Sequence, residues 1–157
     1  MAHSPSATAS GEIRIIAQNK KIAHDLAIER HIEAGIVLVG SEVKSIRGGR
    51  VVLTGAHVRI VGGEALVFGL TIHEYAFAHQ FTHEPTAQRK LLLHRHEIAK
   101  LQRDLEQKGC TAVISRIYWR GARVKLDIAI GTGKKLHDKR QTIKEADARR
   151  DMQRAKR

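Results

Sequence analysis

Apolar and polar positions alternate along much of this chain, which predicts strands because successive strand side chains point to opposite faces. Residues 12–18 carry the β-branched Ile13, Ile15 and Ile16 in a largely alternating run. Residues 25–32 place Leu26, Ile28 and Ile32 on one face, and 35–39 form a further short strand. Residues 51–53 and 56–60 continue the pattern. Gly62-Gly63 supplies positive φ for a tight hairpin, with 65–72 returning across it. The clearest period of two is Val113, Ile117, Trp119 and then Val124, Leu126, Ile128, Ile130. It predicts a second hairpin, 112–119 with 123–130, turning at Gly121.

Two segments switch to helical spacing. Residues 41–47 start at Ser41, an N-cap candidate, and stop at Gly48-Gly49. Glu42 falls in the first turn, where a carboxylate suits the helix dipole. Ile98, Leu101 and Leu105 share one face of a helix over 95–108 that ends at Gly109. Leu91 lies one heptad before Ile98, so a helical turn is expected to begin earlier, after Pro85. Many short strands, glycine turns and a covering helix predict a mainly β chain with short helices, an OB-like antiparallel β-barrel with about three helices. Such barrels often bind oligonucleotides, but that is an analogy between folds.

Length and composition sharpen this reading. The 157 residues fit one domain, and 42% are hydrophobic, enough for a core beginning near Glu12. Residues 1–11 are rich in Ala and Ser, lack a signal-peptide pattern, and are expected to be a disordered leader. The best apolar stretch, 34–39, is far short of the roughly 20 residues a membrane helix needs.

The net charge is +12, a surface that attracts polyanions. Half of it lies in residues 133–157, where ten Lys/Arg face four acids. The only sizeable apolar residues there are Leu136, Ile143 and Met152, too sparse to anchor a helix on a core. A tail over 133–157, disordered when free and helical on a partner, is therefore expected after a barrel over 12–132. It lacks the bulky apolar face of a membrane helix. An RNA-tracking and a DNA-tracking arm look alike at this level.

Bond-making chemistry finds little support. Cys110 stands alone, so no intrachain disulfide can form, which fits a reducing cytoplasm. His79 with His83 and His94 with His96 are spaced for metal, but no H-E-x-x-H or paired cysteines accompany them. Gly131-Thr132-Gly133-Lys134 fails the P-loop spacing, and Lys135 stands where Ser or Thr should be. Glu29 and Glu33 lack acid–base context. No catalytic residue, metal or cofactor is expected. A nuclease would need a positioned acid–base pair or metal cluster. A ribosomal protein or translation factor of OB type remains compatible with composition and fold.

Five ordered segments carry a more specific signal. They are Asn19-Lys20-Lys21 with His24-Asp25; Glu33-Ala34-Gly35-Ile36; Gly40-Ser41-Glu42-Val43-Lys44-Ser45-Ile46-Arg47; Arg89-Lys90-Leu91-Leu92-Leu93-His94; and Gly133-Lys134-Lys135-Leu136-His137-Asp138-Lys139-Arg140, followed by Ile143-Lys144-Glu145. In this order they resemble the SmpB family of SsrA-binding proteins over about 13–157. The resemblance implies an OB-like barrel that binds the tRNA-like domain of tmRNA and takes it to the A site of a stalled 70S ribosome. It implies elongation factor Tu with alanyl-tmRNA as a further partner, a monomeric cytoplasmic protein, and no bond chemistry.

For tmRNA the implied contacts are Asn19, Lys20, Lys21, Glu33, Glu42, Lys44, Arg47, Lys90, Leu92, His94 and Lys125. Glu42 has an alternative role as a helix cap, and Leu92 as core. For decoding-centre rRNA and the empty mRNA channel the implied tail contacts are Gly133, Lys134, Lys135, His137, Asp138, Lys139, Arg140, Ile143 and Lys144. Gly131 and Gly133 would hinge the tail. Leu26, Ser41 and His57 depart from the residues common in the family, and Leu26 is left out of the RNA contacts.

Overall fold

Strands form where the alternation is strongest. The structure, a computed structural model, describes residues 11–78 and 82–156, and of Leu136 and His137 the backbone alone. Among the described residues the order is β1 (Ile13–Gln18), α1 (Ile22–Asp25), β2 (Leu26–Ile36), α2 (Gly40–Arg47), β3 (Val51–Val52), β4 (His57–Val61), β5 (Glu64–Phe68), β6 (Thr71–Ile72), β7 (Arg89–Leu92), α3 (Arg95–Glu106), β8 (Cys110–Arg120), β9 (Arg123–Gly133) and α4 (Leu136–Ala155). The expected leader lies outside the described residues apart from Gly11, as does His79.

The chain is mainly β and antiparallel. Seven strands run β1-β8-β4-β5-β7-β2-β9, and β9 pairs β8 as well. The pairings therefore close a ring through β8, β4, β5, β7, β2 and β9. Strand β8 can serve three partners because β4 takes it at Val113 while β1 takes residues 116–120. Ring closure pairs strand edges that would otherwise be open to other chains. β3 and β6 form a small separate ladder.

Both predicted hairpins are present. Gly62 and Gly63 have φ of 58° and 77°, and Val61 pairs with Glu64. Gly121, φ 59°, turns β8 into β9. The inward side chains Ile114, Ile117, Leu126, Ile128 and Ile130 join Val67, Leu70, Ile72 and Leu91 in one core. Helix α3 covers it with the fully buried Leu101, flanked by Ile98 and Leu105. Arg30 on β2 grips Asp104 on α3, an ion pair at the rim of that contact.

Four differences from the sequence reading have physical causes. The two strands expected over 25–39 are one, because Glu33 and Ala34 continue the ladder with Asp127 and Leu126. The strand expected over 65–72 breaks at Gly69, φ 70°, and its end turns to β3. Residues 89–92 are a strand, where a helical turn was expected. Arg89 and Leu91 are buried while Lys90 and Leu92 face out, and the segment pairs with both β5 and β2. Local spacing cannot see those two partners. Among the described residues four helices are present instead of about three, since α1 and the tail add to the two read from spacing.

The tail, expected to be helical on a partner, is the helix α4 in this structure. No Gly or Pro interrupts it, and Thr142 and Gln141 bond back and forward within it. β9 also extends to Gly133, one residue past the expected boundary at 132, where it pairs with Leu26. Gly131 is not a hinge. A Cβ there would lie 2.8 Å from the Ala27 carbonyl carbon and 2.9 Å from Ile28 Cα. Only glycine lets β9 pass the irregular register between Ile28 and Arg30.

Candidate nucleic-acid interface

Glu42 and Arg89 show which charges stay inside. Glu42, 4% exposed, accepts Val39 N–H at 2.9 Å on one oxygen and Arg89 Nε at 2.6 Å on the other. Arg89 donates further to the carbonyls of Leu70, Ala87, Glu84 and Pro85. A buried carboxylate needs this kind of compensation. Glu42 thus caps α2 and fastens the segment 82–88, with both carboxylate oxygens engaged inside the fold. Ser41 is not the N-cap, which is Val39. Its hydroxyl lies 2.9 Å from His83 Nδ1, whose Nε2 is 2.8 Å from the Ile72 carbonyl.

The outer surface collects most of the remaining expected residues. An open groove of about 1150 Å³ runs between β2, β7, β9 and the start of α3. Glu33, Lys90, Leu92, His94 and Lys125 all line it. Leu92 is 55% exposed, so it is not core and offers an apolar face between cations. Lys90 pairs with Glu64 at 2.7 Å, and the His94 and His96 rings stack 5.5 Å apart.

Neighbouring hollows extend the groove. Leu92 and Lys125 also line a smaller one floored by Trp119, and Trp119 in turn borders a hollow that holds Arg14 and Arg47. In the other direction His31 is shared with a hollow containing Asn19 and Lys20. The four depressions therefore share walls and form one belt.

Lys21 and Lys44 do not line the belt. Lys21 is exposed beside it, its backbone N–H held by the Asn19 side chain at 3.2 Å. Lys44 lies over the Tyr75 ring, 5.5 Å from its centre.

Three groups at or beside the belt, Arg123 in the groove wall and Tyr118 and Arg120 on Glu33, could not be singled out from sequence. Glu33 takes the Tyr118 hydroxyl on one oxygen and Arg120 on the other at 2.8 Å. It orients a cation and a phenol and is not itself a free acceptor. Burial, with the Glu33 bond second, raises the Tyr118 pKa well above the ordinary phenol range. Arg123 joins Lys125 at the groove wall. These contacts join residues more than eighty positions apart, which no local pattern encodes.

The tail residues divide. Gly133 sits in β9, and Lys134 N–H bonds the Asp25 carbonyl at 2.9 Å. Lys134 Nζ reaches the Ala23 carbonyl and Thr142 Oγ1, so this lysine ties the tail to the body. Lys139 lies 3.8 Å from Asp25. The Asp25 pKa is lowered chiefly by its bond to His24, with Lys139 assisting. Lys135, Asp138, Arg140, Ile143 and Lys144 are exposed along the outer helix; the His137 side chain lies outside the described residues.

Among the described residues no group of three or more His, Cys, Asp or Glu is placed to hold a metal ion. No helix there is long and apolar enough to cross a membrane. Burial raises the Cys110 pKa, opposite to what an activated thiol requires.

A basic belt of grooves on an antiparallel ring of strands defines the class: a β-protein built to hold a polyanion. Comparison with known proteins narrows it. The family model described as SmpB protein matches residues 16–157. The SsrA-binding protein of Roseiflexus castenholzii is 49% identical over 150 residues, covering 95% of each chain. That of Syntrophotalea carbinolica is 50% identical over 143 residues, covering 91% of this chain and 95% of its own. A solved chain from work on tmRNA–SmpB at the centre of the bacterial ribosome superposes with a TM-score of 0.65 at 38% identity, covering 81% of this chain and 93% of its own. This chain belongs to the SmpB family.

Proposed function

We propose that this chain binds the tRNA-like domain of tmRNA along the belt and carries it into the A site of stalled ribosomes for trans-translation. Family membership supports the reading, and the belt is the observation that carries it. The six-strand ring of pairings is read as an OB-like barrel, whose curved face suits a folded RNA.

Roles follow from side-chain chemistry. Lys20, Lys21, Lys90 and Lys125 grip phosphates, and their cost in salt is paid as counterions return. Leu92 is a platform for an unpaired base. Glu33 holds Arg120 and Tyr118 toward the strand, as their contacts suggest. Arg47 and Lys44 extend the grip from α2. Lys135, Lys139, Arg140 and Lys144 meet decoding-centre rRNA, His137 stacks on a base there, and Asp138 orients its neighbours. The tail senses the empty mRNA channel as a helix, and elongation factor Tu delivers the complex with alanyl-tmRNA. The protein acts as a cytoplasmic monomer and catalyses no bond chemistry.

A gel-shift titration against tmRNA with ordinary tRNA as competitor, at moderate salt, tests this. Binding that survives excess tRNA is expected. Equal and steeply salt-dependent binding to both RNAs would replace the reading with a general rRNA binder.

A further inference from the structure

His31 is the one side chain shared by the two larger grooves of the belt, those of Lys20 and of Lys125. A strand following the belt from one to the other must pass it. The ring is about half exposed, and its Nδ1 lies 3.1 Å from Asp127 Oδ2. Asp127 is itself buried at 8% exposure and fixed by Ser115, whose hydroxyl donates to Oδ2 at 2.9 Å. Arg116 Nε, 3.3 Å from the same oxygen, balances its charge.

In the neutral ring a carboxylate oxygen this close to Nδ1 favours the tautomer with the proton there, because a lone pair on that nitrogen would be repelled by its negative charge. Nε2 then carries the lone pair, and among the described residues it has no partner. An acceptor beside a cationic groove suits a group that donates. Phosphate oxygens cannot donate, whereas the ribose 2′-hydroxyl can, and it is what separates RNA from DNA.

We infer that His31 is a further RNA-contact residue, positioned by Asp127 so that Nε2 accepts a 2′-hydroxyl hydrogen where the RNA crosses between the grooves. This rests on the reading of the belt as the tmRNA site. His31 is the sensor of sugar chemistry there, while the lysines around it sense only charge.

The test is a gel shift with the full chain and a transcript of the tRNA-like domain carrying single 2′-deoxy substitutions across the protected nucleotides. Wild-type protein is expected to lose about 3- to 10-fold in affinity at one or two positions, the scale of one hydrogen bond. His31→Ala should lose a similar factor on all-ribose RNA and become blind to deoxy substitution at those positions. His31→Gln, which keeps an acceptor oxygen, should recover part of both, and thermal melts establish that each variant folds. The salt dependence should stay unchanged, since no phosphate contact is removed.

A deoxy profile identical in wild type and His31→Ala would overturn the inference. So would a drop of about one unit in the salt slope, the mark of a lost phosphate contact. In both cases wild-type preference for tmRNA over tRNA survives, so the wider reading stands. If wild type shows no such preference, both fall together.

Discussion

At the scale of single residues the charges sort by burial, and sequence alone does not report burial. Glu42 in a basic chain looks like an acceptor for bases, yet it lies against Arg89, 47 positions away, inside the fold. Arg89 satisfies five acceptors with one planar guanidinium. Arg89→Ala should therefore cost about 3–5 kcal/mol by leaving the Glu42 carboxylate buried without its cation. Arg89→Lys should also destabilise, because an ammonium cannot span that fork of carbonyls. Urea unfolding measures both, and a loss under about 1 kcal/mol for the alanine variant would refute the assignment. Gly131 is the second case. The expected hinge is instead a place where two backbones touch, so Gly131→Ala should cost about 1–3 kcal/mol through forced strand separation. If the alanine variant keeps wild-type stability and only tail behaviour changes, the hinge reading returns.

At the scale of elements, what the sequence made legible follows the range of the forces involved. The hairpins at Gly62-Gly63 and Gly121 were readable because turn chemistry and alternation are local. β7 was not, since its strand character comes from pairing with β5 and β2, both distant in sequence. The belt was readable in part. Its cations stood out by charge and motif, but His31, Tyr118 and Arg120 become functional candidates only through partners on other strands. α4 is a third kind of element. Its described apolar residues Ile143 and Met152 are exposed, and polar contacts tie it to the body through Lys134, Lys139 and Asp25 of α1. A depressed carboxylate contributes above its unfolded value and stops contributing as pH falls through its folded value. Asp25 should thus support the α1–α4 contact at neutral pH and release it only below about 3.8. Carboxyl NMR titration should place its midpoint below 3.8. His24→Ala should move that midpoint up more than Lys139→Ala, as His24 is the larger cause. The reverse order would mean that α4, and not α1, controls this carboxylate.

At the scale of the whole molecule the +12 charge is divided between two surfaces that are built differently. The belt is rigid, its walls set by paired strands and by internal contacts such as Glu33 with Arg120. Residues 133–157 carry +6, and the helix α4 within them is held to the body mainly at its first turns. Rigid placement suits recognition of a folded RNA domain, and a loosely held cationic helix suits a partner met afterwards. The two activities should then separate at a particular cut. Lys134 belongs to the body, since its N–H extends the ladder at Asp25 and its ammonium reaches Ala23. Truncation should therefore begin after Lys135 so that these contacts and the Gly133 pairing are kept. The shortened chain should melt close to wild type, because none of the side chains described from Asp138 on is buried. Its affinity for the tRNA-like domain should fall by less than about 3-fold, the residue of lost long-range attraction that salt screens. Peptide tagging on stalled ribosomes should disappear, because on the proposed reading that step needs the tail. Parallel loss of RNA binding and tagging in a folded truncation would mean that the tail is part of the tmRNA site, and the division of labour between belt and helix would be wrong.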